Sequence, residues 1–214
     1  MADESTKRGY FDIDIYTDKI PAMWDLGDIF TLKDLQQRKL YMAANIVQGE
    51  VDDIVQFILQ YNKEDAGIPV DERKPILLFI LSNGGAVDVG FELIDVIELS
   101  TTPVYTINIG YQYSMGFLIG LAGHKRFATK NARFLMHDGS NFVWDSSAKV
   151  RDQMKFQEVS EKRIKNYVLS HSKLTEAEYD EKYRVEWYMF ADEAKERGFV
   201  DYIIGEDCTL DDII

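Results

Sequence analysis

Three observations predict an α/β fold for this 214-residue chain. The run Ile76 to Leu81 is apolar throughout, as a strand covered on both faces requires. Ser82-Asn-Gly-Gly85 turns the chain after it, and Val89, Leu93, Ile94 and Ile97 then repeat at helical spacing. The same order returns with strand Val104 to Ile109, a turn at Ser114 and an apolar helix Met115 to Ala122. Successive strand–helix units of this kind build α/β architectures.

The remaining elements follow in order. Residues 1–35 read as irregular, with an alternating segment Tyr10-Phe-Asp-Ile-Asp-Ile-Tyr16 and a break at Pro21. This predicts an amino-terminal arm or edge strand over 1–37, followed by one domain over 38–214. Lys39 to Val47 reads as a strand closed by Gly49, and Val51, Ile54, Val55, Ile58 and Leu59 mark a helix to about Tyr61. Asn62 to Lys74, with Gly67 and Pro69, reads as a surface loop. Lys125 to Thr129 and Ala132 to Met136 form two short strands, and a long charged helix spans about 146–170. A short helix from Asp192 to Arg197 and a strand from Val200 to Ile204 close the chain.

Composition narrows the chemistry. A net charge of −13 repels phosphate backbones and argues against nucleic acid, while identifying no partner. The single cysteine, Cys208, has no partner for an intramolecular bridge. The first residues hold no apolar signal core and no run approaches membrane-spanning length, so a cytoplasmic protein is expected. His137-Asp138 alone lacks the further ligands of a metal site. No G-x-x-x-x-G-K-[ST] loop is present, so any use of ATP belongs to a partner, and no cofactor is expected.

Ser114, before an apolar helix, has helix capping as its ordinary role. The esterase elbow G-x-S-x-G fails, because Gln112 stands two residues before the serine. A serine hydroxyl becomes a nucleophile only with a base to take its proton and fixed N–H donors for the oxyanion. Of three histidines, His137 at a strand end is the best placed base, whereas His124 and His171 read as exposed. Gly84-Gly85 is either a turn needing positive φ or an approach for a substrate carbonyl. In the second reading, the N–H groups of Gly85 and Met115 form an oxyanion hole.

Taken together, these residues resemble the proteolytic subunit of the Clp protease, within the ClpP/crotonase fold. The resemblance runs from about Arg38 to Ile204. It rests on Gly84-Gly85 after an apolar strand, Ser114-Met115-Gly116, Arg126-Phe127, Asn131-Ala-Arg133-Phe-Leu-Met-His137 and Asp192-Glu-Ala-Lys-Glu-Arg-Gly-Phe-Val-Asp201. It implies a spiral of β-β-α units with a protruding handle helix at about 146–170. It also implies a serine peptidase with Ser114 as nucleophile, His137 as base, and Gly85 and Met115 as oxyanion donors. The family's triad acid is an Asp, and ungapped alignment back from Glu193-Ala194 puts Glu186 there, with Asp180 and Glu181 as substitutes if the loop is shifted. The implied assembly is a homo-oligomer of two stacked heptameric rings, a tetradecamer. An AAA+ unfoldase would supply it with unfolded protein or peptide substrate.

Several departures mark a divergent member. Asp138-Gly139-Ser-Asn-Phe-Val-Trp144 replaces the family's Gln-Pro and Gly-rich substrate strand, and Asn83 stands where Pro precedes the glycines. The amino-terminal segment does not look like the family's axial loop. Three rival readings remain: a structural ring subunit with a misaligned Ser-His pair, a crotonase-type acyl-CoA enzyme, and a processing enzyme for a phage capsid or portal protein.

Overall fold

The computed structural model describes residues 26–139 and 144–214. The alternating segment at Tyr10–Tyr16, and most of the stretch that replaces the family's substrate strand, lie outside them. The chain runs α1 (Leu26–Gln36), β1 (Lys39–Met42), α2 (Gln48–Glu64), β2 (Ile76–Ile80), α3 (Val87–Leu99) and β3 (Val104–Asn108). It continues with β4 (Tyr111–Tyr113), α4 (Met115–Leu121), β5 (Lys125–Thr129), β6 (Arg133–Met136) and α5 (Ser147–Ser170). The last elements are α6 (Glu176–Lys182), β7 (Trp187–Phe190), α7 (Ala191–Glu196) and β8 (Tyr202–Ile204).

Five strands form a parallel sheet in the order β1-β2-β3-β5-β8. Central strand β2 explains its own composition. Ile76, Leu78 and Ile80 enter the main core with Ile54, Ile58, Leu93 and Ile97 from α2 and α3. Leu77 and Phe79 point to the opposite face and pack with Ile107, Phe127 and Ile213 near the carboxyl terminus. All five residues are buried, so alternation survives in the structure while the sequence shows only an apolar run.

A second sheet, β4-β6-β7, pairs β4 with β6 in parallel and β6 with β7 antiparallel. It carries the candidate site. Helix α5 leaves the body, with Val168 near its end as its buried residue. There Tyr167 Oη donates to the Leu118 carbonyl at 2.9 Å. Met154, Phe156 and Val159 stand exposed farther out.

The structure differs from the sequence reading in several elements. Residues 26–36, expected to be irregular, form α1, which rests on the body where Tyr61 Oη donates to the Leu35 carbonyl at 2.7 Å. Strand β1 stops at Met42, because the Ile46 N–H turns to the Gly84 carbonyl and Ile46 bridges to Gly85. Helix α2 starts earlier and ends later than its apolar repeat, and a 3-10 turn at Val70–Glu72 interrupts the expected loop. Elements β4, α6 and β7 were not anticipated.

Arg38 sits just past α1 at φ 60 and is held there by a buried ion pair. Its guanidinium donates to both Asp65 carboxylate oxygens at 2.6 Å, and the Thr102 hydroxyl donates to Asp65 at 2.8 Å. Burial alone would raise the Asp65 pKa, but these hydrogen bonds outweigh it and hold the carboxyl below its ordinary value. Arg38→Ala leaves a carboxylate with 4% side-chain exposure uncompensated and is expected to cost about 3 kcal/mol in urea denaturation. Because the folded pKa is depressed, this contribution is present above the ordinary Asp value near 4 and is lost as pH falls through the folded value. The gap between wild type and variant therefore narrows in acid.

Candidate active site

Ser114 joins β4 to α4 with φ 54 and ψ −122, a backbone conformation that L side chains rarely adopt. It is held there from both sides. Its N–H donates to the Leu135 carbonyl on β6 at 3.0 Å, and its own carbonyl accepts from Phe117 and Leu118 in α4. A non-glycine residue in such a region costs on the order of 1–3 kcal/mol and clusters at functional sites. The hydroxyl does not cap α4, so the ordinary role of a serine at this position is not taken.

His137 follows β6, and the strand register dictates its neighbour. Met136 lies opposite Trp187 in the antiparallel pair, so one step on, His137 lies opposite Glu186. Glu186 Oε1 is 2.7 Å from His137 Nδ1. Its other oxygen accepts from the Tyr188 hydroxyl at 3.5 Å. Of the alternatives, Asp180 is bound by Lys165 Nζ at 2.7 Å and Glu181 pairs with its neighbour Lys182 at 3.2 Å. The His137 side chain is 20% exposed and that of Glu186 is 58% exposed. His137 Nε2 is buried and has no hydrogen-bond partner among the described residues.

The Gly84-Gly85 turn lies directly against the serine. A Cβ on Gly84 would stand 2.7 Å from Ser114 Cβ and 3.1 Å from the Met115 nitrogen. Gly84 has φ 100 and Gly85 φ 153, and a Cβ on Gly85 would meet the Ile46 carbonyl oxygen at 2.5 Å. Main-chain bonds fix the turn: the Ile46 N–H donates to the Gly84 carbonyl and the Ala86 N–H to the Ile46 carbonyl. The N–H groups of Gly85 and Met115 donate to no described residue, and Met115 is the first residue of its helix, where an N–H has no intrahelical acceptor.

Ser114, Met115 and His137 line one pocket of about 50 Å³, walled by Val87, Phe117, Leu118, Met136, Ile164 and Val168 and by Tyr179 and Tyr183. Within it, the Ser114 hydroxyl and His137 Nε2 are not hydrogen-bonded to each other. Catalytic hydrogen bonds are often long in unliganded sites and tighten with substrate. A serine freed from capping, an imidazole backed by a carboxylate, and two unengaged N–H groups are the parts that acyl transfer needs.

The other histidines stand outside this pocket. Exposed His124 accepts from the Val104 N–H through Nδ1 at 3.1 Å. His171, expected to be exposed, is half-buried, with Nε2 3.0 Å from Glu98 and Nδ1 2.9 Å from the Tyr167 carbonyl. Among the described residues, no group of three or more His, Cys, Asp or Glu is arranged to hold a metal ion, and no helix is long and apolar enough to cross a membrane.

Sequence reading missed Tyr179, Tyr183 and Tyr188, all on elements it did not anticipate. One signal could have found the first two. Thr175-x-x-Glu178 is a capping box that opens α6, and both of its hydrogen bonds are present. Tyr188 carried no such signal: Trp187 to Phe190 are apolar throughout, and the alternation of buried Trp187 and Met189 with exposed Tyr188 and Phe190 is visible only in the structure.

The family model for Clp protease matches residues 28–207. The chain is 30% identical to the ATP-dependent Clp protease proteolytic subunit 1 of Streptomyces avermitilis, over 92% of its own length and 86% of the relative's. It is 28% identical to the subunit of that name from Chlamydia abortus, covering 84% and 92% respectively. Proteolytic subunit 2 of Treponema pallidum is 26% identical, over 82% of this chain and 86% of its own. With the mixed α/β fold and a match that spans most of the chain, the protein belongs to the Clp protease family.

Proposed function

We propose that this chain is a serine peptidase subunit that hydrolyses peptide bonds through Ser114, His137 and Glu186. The observation that carries the reading is the 2.7 Å contact between Glu186 and His137 Nδ1, with Nε2 left unpartnered in the pocket of Ser114. Ser114 Oγ attacks the substrate carbonyl and its proton passes to His137 Nε2. The oxyanion is received by the N–H groups of Gly85 and Met115; loss of one such donor typically costs about 10²–10³ in rate. The imidazolium then protonates the leaving amine, and water resolves the acyl-enzyme by the same route in reverse. Glu186 fixes the imidazole tautomer and stabilises its charge without itself taking the proton.

The relatives are named as proteolytic subunits of an ATP-dependent protease, which supports a similar assembly here. In this reading the chain forms stacked heptameric rings in the cytoplasm and receives unfolded chains from an AAA+ partner. The exposed apolar residues Met154, Phe156 and Val159 on α5 are suited to contact between rings.

Fluorophosphonate labelling of the purified protein tests the chemistry. The expected adduct is on Ser114 by peptide mass spectrometry and disappears in His137→Ala. An assembled, folded sample that does not label would favour a structural subunit with a misaligned pair.

A further inference from the structure

We propose that the Tyr179 hydroxyl sets specificity in the pocket beside Ser114, by selecting a substrate residue with a neutral amide side chain. The inference rests on the serine peptidase reading and concerns the residue whose carbonyl Ser114 attacks, asparagine or glutamine.

Two observations carry it. Tyr179 is 2% exposed, and its Oη is buried without a hydrogen-bond partner among the described residues. Buried polar groups are nearly always satisfied, so one without a partner, on a residue that lines a pocket, is a group that a ligand can complete. The second observation is where it stands. It lines the pocket of Ser114 and His137, whose other walls are mostly apolar, from Val87, Phe117, Leu118, Met136, Ile164 and Val168, with Asp138 also in the lining. The other unpartnered side-chain atom there, His137 Nε2, is already needed for proton transfer.

The ring is preorganised. Helix α6 is fixed by its capping box, and the Tyr179 N–H donates to the Thr175 carbonyl at 3.0 Å. Tyr183 stacks on Tyr179 with centroids 5.0 Å apart and planes 19° apart. Lys165 Nζ from α5 lies 5.9 Å from the Tyr179 centroid, tied to Glu176 and Asp180 at 2.8 and 2.7 Å. A hydroxyl held this way contributes to binding with little further ordering cost.

Charge selects the class of side chain. Burial, and then the neighbouring Tyr183, Asp180 and Glu161, keep the phenol protonated, so it can both donate and accept. A carboxamide offers both complements. A carboxylate or a cation would lose its hydration against the mostly apolar walls. A hydrocarbon of the same shape would leave the hydroxyl unsatisfied.

The test uses the full chain and fluorogenic peptides identical except at the attacked residue: asparagine against leucine, and glutamine against methionine. Wild type is expected to favour each amide by roughly tenfold in kcat/KM. Tyr179→Phe, which removes only the oxygen, is expected to erase or invert that preference. An unchanged ratio in Tyr179→Phe, or a wild-type preference for leucine or methionine over the matching amide, overturns the assignment. Labelling of wild-type Ser114 separates the two levels. A labelled serine with the wrong preference overturns the inference alone, whereas no labelling and no hydrolysis of any peptide overturns the peptidase reading and the inference with it.

Discussion

Ser114→Ala is expected to lower peptide hydrolysis by about 10⁴-fold or more while the protein stays folded. The hydroxyl oxygen, the proposed nucleophile, is the only heavy atom removed. Its hydroxyl caps no helix and has no hydrogen-bond partner among the described residues, so the folded state loses no bond. Alanine is as strained as serine at φ 54, and the main-chain bonds from Ser114 to Leu135, Phe117 and Leu118 remain. Stability should therefore change by less than about 0.5 kcal/mol. Measured together, kcat/KM on a peptide substrate and the thermal midpoint check both halves. Hydrolysis at the wild-type rate would remove Ser114 from the mechanism; a large fall in the midpoint would mean that the oxygen has a structural role.

Gly84→Ala should also be damaging, to both activity and stability, for the opposite reason. Here an atom is added where none fits. The new Cβ would meet Ser114 Cβ at 2.7 Å and the Tyr113 carbonyl oxygen at 3.0 Å, at a φ of 100 that alanine resists. Relief cannot come from a flexible side chain, because the neighbours are main-chain atoms and the Cβ of Ser114. The turn must move away from Ser114-Met115, which separates the serine from the Gly85 N–H. A misplacement of about 1 Å at reacting groups costs on the order of 10²-fold in rate. Strain and overpacking add a stability loss of about 2–4 kcal/mol. Peptide hydrolysis and urea denaturation on one sample measure the two effects. Full activity in a stable Gly84→Ala protein would show that the turn does not position the site.

Much of the frame is legible in the chain because burial writes directly on composition. Ile76 to Ile80 had to be a covered strand, and the residues repeating at helical spacing along α2 and α3 had to face it. The charged helix over 147–170 is recognisable because its polarity persists for far longer than a loop allows. The short second sheet was harder to read. Strands β4 and β7, of three and four residues, fall between stronger signals, and α6 is a seven-residue helix whose one buried side chain is Tyr179. Segments this short carry too few periods to establish a pattern.

By itself the sequence determined the α/β class, the order of the principal strands and helices, and the residue types that a hydrolytic site requires. These follow from local chemistry: apolar spacing, turn residues, and the presence of a serine, a histidine and paired glycines. Only the tertiary structure decided which groups meet. The register of β6 against β7 sets His137 opposite Glu186, 49 residues away, and leaves Asp180 to Lys165. Packing of α6 against α5 brings Tyr179 to the wall of the Ser114 pocket. Such encounters depend on strand register and helix packing between distant segments, and a one-residue slip in the register would exchange every partner.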